Sequence, residues 1–492
     1  MAQQTDEAVY EAFKVEQHGV DLIPADERHM TPSGLFWLWA GGIWNVEFLV
    51  YGALIMSFGL SFGQAVLAIL VGNVFYFFLG LLSLQGPTTG TTALMVSRAP
   101  FGQNGNRLVA LFNWITQVGF EVEGLALIVL VTVQMFNRGG VHTSTTLKAA
   151  IIVVAVAIQF VVPFLGHATI TTVLRWLSIV FIVLFAVMAV LVVPHVNLAR
   201  VHQHASWADW TTALVLLVSA GGLGWTENGN DYSRYLPADT PKARTFWAAT
   251  LGGAIPSIAL ELLGAAAFVV SPTLEKLQGP QTAQVINALP TSFASWFFWP
   301  FLVLAIPQLF AINTLDLYSS GVTLQALGAP VKRWGAVVID TIVAGIVTAI
   351  VIFSGNFVAD LAGFLNYIVI WLAPWFGVML VDYLLRRGCY HAPSLVTRTG
   401  GVYWRNGGVN WRALVALIVG GVAALMWTNA LYNNPSYIGP ISDRTGGADL
   451  SWVMGIIVGG ALYALLAARS IRREVEQTGA RPAVAGLVLD RA

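Results

Sequence analysis

The chain has 492 residues, of which 57% are hydrophobic and only 10% are charged, and its mean hydropathy is +0.71. Ordinary soluble chains carry roughly 25% charged residues, so this composition excludes a set of water-facing domains and predicts an all-α polytopic membrane protein. The 25 basic and 25 acidic residues cancel, which removes any electrostatic case for a nucleic-acid partner. The single cysteine, Cys389, excludes an intramolecular disulfide and a paired-cysteine metal site, and no cofactor or metal is expected.

The first 33 residues are polar and acidic and lack the pattern of a secretory signal, so the first span is expected to direct insertion. A helix that crosses about 30 Å of hydrocarbon needs about 20 apolar residues. Twelve stretches meet or approach this length. We place them near 35–60, 63–84, 108–136, 149–166, 170–193, 211–230, 246–270, 296–327, 334–354, 357–385, 413–432 and 451–468.

The distribution of basic residues predicts the orientation, because short cytoplasmic loops carry the excess of Lys and Arg. With the amino terminus inside, 20 of the 25 basic residues fall on the inner side. The remaining five fall outside: Arg138, Lys148, Arg200, Lys276 and Arg444. We therefore expect a multi-pass protein of the plasma or inner membrane with both termini in the cytoplasm.

Two spans are interrupted by glycines beside polar residues. The first contains WAGGIWNVEF, in which Gly41 and Gly42 precede Asn45 and Glu47, and the sixth contains SAGGLGWTENGNDYSRY. Glycine lowers helix propensity by about 1 kcal/mol, and irregular backbone at membrane depth is tolerated only where it lines a cavity. An odd number of crossings separates the two breaks, which inverts the second and predicts an inverted-repeat transporter with its site at the breaks. The alternative is that the glycines only allow close helix packing.

Four segments resemble the nucleobase:cation symporter family, which contains purine and cytosine permeases and their hydantoin and allantoin relatives. They are WNVEFLVYGALIMSFGLSFGQAVLAILVGNVF, GPTTGTTALMVSRAPFG, NDYSRYLP and APWFGVMLVDYLLRRGCY. The resemblance implies twelve transmembrane helices, with two inverted five-helix repeats, discontinuous helices 1 and 6 and two peripheral helices. It also implies cation-coupled uptake of a flat heterocycle. The expected organisation is a tail (1–34), the first repeat (35–193), the second repeat (194–385), a loop with helices 11 and 12 (386–468) and a second tail (469–492).

Six carboxyl groups fall in the middle of predicted spans, where an ionisable residue is a functional candidate by default. They are Glu47, Glu121, Glu123, Glu227, Glu261 and Asp316. With no basic residue expected at comparable depth, they must be protonated, face water or meet a ligand that carries N–H donors. We expect Glu227, Asp316, Glu121 and Glu47 to be the proton-coupling candidates. Glu261 is either a proton relay or a packing residue beside Gly264.

The third span places Gln117, Phe120, Glu123 and Gly124 on one helical face, since a helix turns about 100° per residue. The resemblance implies that this face binds substrate, with Phe120 in place of a stacking tryptophan and Gly124 in place of an amide four residues later. Glu123 or Gln117 is expected to replace that amide by accepting or donating hydrogen bonds at the ring edge. The alternative is that Glu121 or Glu123 is a packing contact.

The eighth span places Asp316 where the resemblance implies a substrate-binding asparagine. Sodium-dependent relatives carry hydroxyl side chains six and five positions earlier, where this chain has Phe310 and Ala311. Because Na⁺ prefers oxygen ligands, we expect proton rather than sodium coupling. Ser319 and Ser320 are interpreted as cavity or packing hydroxyls.

Further candidates flank the two breaks. Trp225, Trp44 and, less favoured, Trp39 offer rings for stacking, and Asn45 is expected to contact substrate. Asp231 and Arg234 in NDYSRYLP are predicted to form a gate ion pair or a loop anchor. His195, His202 and His204 have a spacing that allows metal binding but lack acidic or thiol partners, so they are interpreted as solvated.

Together these features predict a secondary active transporter that imports a nucleobase-like heterocycle by proton symport through alternating access, and not an enzyme. Amine-bearing bases such as cytosine or adenine are expected ahead of uracil or hydantoin. Sodium coupling, or another small amine or amino acid as cargo, remains an alternative. A membrane-embedded hydrolase lacks a nucleophile-and-base motif, and an ion channel lacks a repeated filter sequence.

Overall fold

The computed structural model describes residues 12–198, 204–276, 285, 288–354, 357–431 and 436–478, so His202 and parts of both predicted tails lie outside it. Its helices are α1 (Pro32–Ile43), α2 (Val46–Met56), α3 (Phe62–Asn73), α4 (Phe75–Ser83), α5 (Gln85–Thr89), α6 (Ala93–Val96), α7 (Arg98–Phe101), α8 (Asn106–Arg138), α9 (Thr145–Leu165), α10 (His167–Val192), α11 (Trp207–Ala220), α12 (Gly229–Ser233), α13 (Lys242–Val270), α14 (Phe298–Leu327), α15 (Arg333–Ser354), α16 (Phe357–Arg386), α17 (Ala392–Val396), α18 (Trp411–Trp427), α19 (Pro440–Arg444) and α20 (Ser451–Thr478). Two short antiparallel strands, β1 (Asn429–Ala430) and β2 (Tyr437–Ile438), pair between α18 and α19.

The fold is that of a polytopic all-α membrane protein, as predicted. In the described residues, nine helices are long and apolar enough to span a membrane, with α3 to α5 counted as one helix over Phe62–Thr89. The pair α1 and α2 forms a further span that is bent by 55°. Two shorter apolar helices, α11 and α18, lie at the predicted sixth and eleventh places. The count of twelve spans and the inverted-repeat symmetry stay predictions.

The predicted break in the first span is confirmed, but it lies beyond the two glycines. Helix α1 continues through Gly41 and Gly42, where an added Cβ would lie 2.5 Å from an atom of Leu174 or Leu315, so both glycines serve helix packing. The corner is instead made by Asn45, whose side chain accepts a 2.7 Å hydrogen bond from the backbone N–H of Glu47 and donates one of 2.7 Å to the carbonyl of Gly42. Asn45 thereby satisfies polar backbone groups that the break leaves open.

The predicted break in the sixth span is also confirmed. Helix α11 ends at Ala220, and α12 begins at Gly229 after a non-helical stretch and a single 3₁₀ turn over Thr226–Asn228. Gly222 lies in this stretch, and an added Cβ there would lie 2.4 Å from the backbone nitrogen of Tyr76. The irregular backbone is therefore buried against α4 within the protein, as its open hydrogen-bonding groups require.

Helices α2 and α13 approach each other through a reciprocal pair of glycines. A Cβ added to Gly52 of α2 would lie 1.9 Å from the carbonyl oxygen of Glu261, and one added to Gly264 of α13 would lie 2.0 Å from the carbonyl oxygen of Leu49. Only glycine permits backbones to come this close. The second half of the bent span, α2, is thus in direct backbone contact with α13.

Candidate functional site

Four carboxyl groups meet where the two breaks face α8 and α14. Glu47 lies one residue past the corner between α1 and α2, Glu227 lies in the 3₁₀ turn before α12, and Glu123 and Asp316 project from α8 and α14. Asp316 is within electrostatic range of Glu47, Glu123 and Glu227. Each of the four is at most 4% exposed. We call Glu47, Glu123, Glu227 and Asp316 the carboxyl cluster.

Basic residues do not neutralise the carboxyl cluster. The ion pairs of the described residues involve only carboxylates elsewhere, such as Glu16, Asp382 and Glu474. A buried carboxylate without a counter-charge is costly. The cluster therefore favours bound protons or a ligand that brings N–H donors.

Tyr51, one turn after Glu47 on α2, links two members of the cluster. Its hydroxyl oxygen lies 2.9 Å from Oε1 of Glu47 and 2.8 Å from Oε1 of Glu123. A phenol carries one proton and can donate only one of these bonds. The other contact is a hydrogen bond only when that carboxyl group is protonated and donates to the phenol oxygen.

An amide network joins α8 to the second break. Nε2 of Gln117 donates to Oε1 of Glu227 and to Oδ1 of Asn228, both at 3.2 Å. Nδ2 of Asn228 donates back to Oε1 of Gln117 at 3.4 Å. Gln117 therefore orients the Glu227 carboxyl group.

Three oxygens of the cluster are buried and make no hydrogen bond within the described part of the chain. They are Oε2 of Glu123, Oε2 of Glu227 and Oδ1 of Asp316. Carboxyl oxygens accept N–H donors, and unsatisfied buried acceptors are rare in folded proteins. The cluster thus contains three acceptors without a partner in the described chain.

The structure places the predicted aromatic residues in different surroundings. Trp225 packs edge-on against Trp39 at a ring separation of 5.6 Å, beside the second break. Phe120 packs edge-on against Phe364 at 5.1 Å. Trp44 stacks on Phe185 at 6.2 Å and lines an apolar cavity of about 610 Å³. In the described chain, Phe120 and Trp225 form no ring pair with each other.

Two predicted residues of α8 point toward other helices. Glu121 is buried within electrostatic range of Asp340 on α15 and, to a smaller extent, of Asp316 in the carboxyl cluster. Asp340 accepts hydrogen bonds from Trp114 at 2.6 Å and Ser320 at 3.1 Å. A Cβ added to Gly124 would lie 2.0 Å from Oδ1 of Asn313, so Gly124 is the point at which α8 and α14 meet. Sequence reasoning missed Asp340, although it is a lone acid in an apolar stretch, VVIDTIV, and meets the same mid-span criterion.

Glu261 is a hydrogen-bonded packing residue. Asn73 donates to its Oε2 at 2.6 Å and Ser257 to its Oε1 at 3.1 Å. Both of its oxygens are satisfied, in contrast to those of Asp316 and Glu227. Its bonds join α13 to the end of α3.

Asp231 and Arg234, at α12 just after the second break, have separate partners. Asp231 accepts a 3.0 Å hydrogen bond from the backbone N–H of Ala93. Arg234 donates to the hydroxyl of Tyr318 at 2.9 Å, and its ion partner is Glu16 of the amino-terminal tail, at 3.9 Å. Arg234 thus anchors the tail.

Glu16 joins the tail to several helices. Its carboxylate accepts a 2.9 Å hydrogen bond from the backbone N–H of His167 at the start of α10 and lies 3.7 Å from Arg333 at the start of α15. Tyr235 donates a further hydrogen bond to it. Burial opposes ionisation, but Arg333 and Arg234 lower the pKa of Glu16 below its ordinary value.

No metal centre is built by the residues described: they contain no group of three or more His, Cys, Asp or Glu side chains arranged to hold a metal ion. His195, one of the histidines considered above, bonds through its ring to the carbonyl of Leu191 at 3.0 Å.

Known proteins resemble this chain over most of its length. A family model of permeases for cytosine/purines, uracil, thiamine and allantoin matches residues 22–455. YxlA of Bacillus subtilis (strain 168), whose assignment as a purine-cytosine permease is provisional, is 28% identical over 469 residues, covering 92% of this chain and 96% of its own. The purine-cytosine permease FCY2 of Saccharomyces cerevisiae is 24% identical over 480 residues, covering 93% and 86%.

A solved structure shares the fold. Mhp1, a nucleobase-cation-symport-1 family transporter in a closed conformation with bromovinylhydantoin bound, aligns with a TM-score of 0.71 at 21% identity, covering 95% of this chain and 97% of Mhp1. Together with the family match, this indicates a membrane transporter rather than an enzyme.

Proposed function

The chain belongs to the family of permeases for cytosine/purines, uracil, thiamine and allantoin, and from this premise we propose that it imports an amine-bearing nucleobase together with a proton. The observation that carries the proposal is the buried carboxyl cluster at the two breaks, which lacks a basic partner in the described chain. Relatives named as purine-cytosine permeases support the substrate class. The excess of basic residues on one side supports cytoplasmic termini.

The shared proton at Tyr51 supports proton coupling. Glu47 and Glu123 can both hydrogen-bond to the single hydroxyl of Tyr51 only when one of them is protonated. Proton binding from outside would neutralise the cluster and permit the site to close, because an occluded, unpaired carboxylate is costly. Release of the proton inside would restore the charge and reset the carrier.

The free acceptors support recognition of an amino-substituted ring edge. Asp316 and Glu227 each present a buried oxygen without a partner among the described residues. The exocyclic amine of cytosine or adenine offers two N–H donors to such oxygens, whereas each ring N–H of uracil lies next to a carbonyl group that would place acceptor against acceptor. Trp225, two residues before Glu227 at the second break, supplies an apolar ring.

The alternative of sodium coupling has less support at the positions compared with relatives. Phe310 and Ala311 carry no side-chain oxygen, and the hydroxyl of Thr314 donates to the carbonyl of Phe310 at 2.8 Å. A hard cation would therefore depend on backbone carbonyls and the cluster itself.

The amino-terminal tail supports closure at the inner side. Arg234 at the end of α12 and Arg333 at the start of α15 both face Glu16. We assign Arg234 to an inner gate in which Glu16 takes the role first considered for Asp231. Opening toward the cytoplasm then requires the tail to leave both arginines while the bundle rocks.

The test is uptake by purified protein in proteoliposomes. Labelled cytosine, adenine and uracil are offered under an inward proton gradient or an inward sodium gradient. We expect the proton gradient alone to drive uptake, and cytosine and adenine to be taken up faster than uracil. Uptake driven by sodium alone refutes proton coupling, and uracil uptake equal to that of cytosine refutes the preference for amines.

The site is tested with Glu123→Gln and Asp316→Asn, which keep shape but remove ionisation. Each should abolish the response of uptake to external pH. Glu261→Gln is the matched control, because it alters a buried carboxyl group whose oxygens are satisfied outside the cluster. If neither cluster variant changes uptake or its pH response, the site assignment is wrong.

A further inference from the structure

A polar cavity lies on the face that the count of basic residues assigns to the cytoplasm. It has a volume of about 420 Å³ and is bounded by the start of α7, the first turn of α8 and the loop from α14 to α15. Four cationic side chains line it: Arg98, Arg107, Lys332 and Arg398. None belongs to the transport site described above.

The positive charge of this cavity is poorly compensated. None of the four cations forms an ion pair within the described residues. One carboxylate, Asp21, also lines the cavity, but it is already paired with His18 at 2.7 Å. The lining therefore carries an excess of positive charge.

The Arg98 side chain is held in a fixed position in the cavity wall. Its side chain is 7% exposed, and its Nη1 is fixed by a 2.9 Å hydrogen bond to the carbonyl of Leu395. Its Nε is buried and makes no hydrogen bond in the described chain. Burial, with Arg107 and Arg398 nearby, lowers the pKa of Arg98 to about 10, so it remains charged at neutral pH. The guanidinium also donates to the carbonyls of Thr397 and Ala326, both at 3.3 Å, but it has no carboxylate partner in the described residues. A largely buried guanidinium without a counter-charge is expected to have an anionic partner.

The backbone adds to the positive electrostatic potential of the cavity. The cavity adjoins the amino terminus of α8, a helix of 33 residues that begins at Asn106. The amino terminus of a helix carries partial positive charge, which favours an anion nearby. The backbone N–H groups of Asn106 and Arg107 are already bonded to the carbonyls of Gly102 and Asn104, so the contribution of α8 is its dipole. Gly328 has a φ of +111°, and a Cβ added there would lie 3.6 Å from Nε of Arg107, so the loop after α14 passes close to this guanidinium.

The surface beside the cavity is apolar. Leu111 lies one helical turn above Arg107 on α8 and Ile115 lies two turns above, and they are 37% and 52% exposed. Trp334, two residues after Lys332, is 40% exposed, as is typical of an aromatic side chain at a membrane interface. The cations thus lie next to an apolar, lipid-facing surface of α8. A free phosphate would not contact this surface, whereas the acyl chains of a lipid would.

We propose that this cavity binds the phosphate headgroup of an anionic phospholipid, whose acyl chains lie along the Leu111 and Ile115 side of α8. Basic pockets between membrane helices on the cytoplasmic side suit such headgroups. The occupied cavity would hold the α14–α15 loop against α7 and α8, next to the tail residue Asp21. The proposal does not depend on which substrate the transporter carries.

The test is a lipid titration of the purified, delipidated full chain, followed by native mass spectrometry. Phosphatidylglycerol is compared with zwitterionic phosphatidylcholine. The variants are Arg107→Gln, Arg398→Gln and the double variant, because both side chains are exposed and neither makes a side-chain hydrogen bond or ion pair within the described chain. Arg244→Gln is the matched control, an exposed cation on the same face outside the cavity.

Each lost cation should weaken phosphatidylglycerol binding about fivefold, and the double variant about 30-fold, since one cation near a membrane surface contributes about 1 kcal/mol. The control should bind as the wild type does. Equal phosphatidylglycerol binding by all variants, or equal affinity for the two lipids, overturns the proposal. Inorganic phosphate is added in a separate arm, against chloride at equal ionic strength. If phosphate alone displaces the lipid, the cavity takes a soluble phosphate compound and the lipid assignment is wrong.

Discussion

Tyr51 on α2 is joined to Glu123 on α8 by a contact of 2.8 Å between its hydroxyl oxygen and the carboxyl Oε1. The same hydroxyl lies 2.9 Å from Oε1 of Glu47, one turn earlier on α2. The contact therefore connects the broken first span to the helix that carries the predicted substrate-binding face. It also fixes two acidic groups around one phenol.

Tyr51→Phe should uncouple uptake from the proton gradient. A hydrogen bond to a charged group contributes about 1.5–3 kcal/mol, so proton-driven accumulation should fall about 10- to 100-fold. Exchange of labelled for unlabelled base across the membrane, which needs no net proton movement, should fall less. Tyr76→Phe is the control, because the hydroxyl of Tyr76 is buried beside Ser257 and Glu261, outside the carboxyl cluster. Equal behaviour of the two variants would refute the role given to Tyr51.

Gly124→Ala separates a packing role from a substrate contact. The new methyl group would meet Oδ1 of Asn313 at 2.0 Å, and Asn313 is held by donating to the carbonyl of Glu121 and to Gln159, both at 3.1 Å. Overpacking typically costs about 1–3 kcal/mol, so the Tm in detergent should fall. Gly63→Ala on α3, where the added Cβ meets nothing within 4 Å, should leave the Tm unchanged or raised. An unchanged Tm with an altered KM for Gly124→Ala would favour the substrate contact.

Glu16→Gln should loosen the inner end of the protein. The substitution leaves Arg234 and Arg333, both buried, without their carboxylate partner. Removing one member of a buried ion pair costs about 3–5 kcal/mol, so amide hydrogen exchange in α12 should accelerate on the order of 100-fold or more. Asp26→Asn, an exposed acid on the same tail, serves as the control. Unchanged exchange in α12 would show that Glu16 does not hold the inner gate.

Alkaline pH should release the amino-terminal tail. Hydrogen bonding to Asp21, with a further bond to Glu27 and against the effect of burial, raises the pKa of His18 to about 9. An unperturbed histidine has a pKa of about 6.5. The stabilisation by His18 is therefore fully present below about pH 6.5 and is lost as the pH rises through about 9.

Limited proteolysis of the tail across this range is the measurement. The wild type should be protected at neutral pH and cleaved faster above about pH 9. His18→Gln should be cleaved readily at both values. His29→Gln, a change at an exposed histidine of the same tail, should follow the wild type. A pH-independent cleavage rate in the wild type would contradict the role of His18.

The breaks in the two spans were predictable from composition, but their positions were not. Glycines mark both regions, yet Gly41 and Gly42 remain helical because their missing side chains are used for contacts with Leu174 and Leu315. The corner falls at Asn45, whose side chain caps α2. Glycine therefore indicated the region, and the capping residue determined the corner.

The acidic residues of the site were predictable, and their grouping required the fold. The cost of burying a charge names Glu47, Glu123, Glu227 and Asp316 without any coordinates, but it names Glu121 and Glu261 equally. The separation of Glu121, which faces Asp340, from Glu123, which faces Tyr51, depends on which helices flank α8. The contact of Glu16 with Arg234 was hidden because the two residues are far apart in the sequence and the tail looked merely polar.

The reciprocal glycine contact between α2 and α13 has a consequence for motion. Gly52 lies against the backbone of Glu261, and Gly264 lies against that of Leu49. At these contacts no side chain lies between the two helices, so no change of rotamer can let one helix slide past the other. The segment bearing Glu47 and Tyr51 therefore has to travel together with α13. Any hinge that opens the substrate site must lie at the ends of the α2–α13 pair. A crosslink between these two helices should leave the transport rate unchanged.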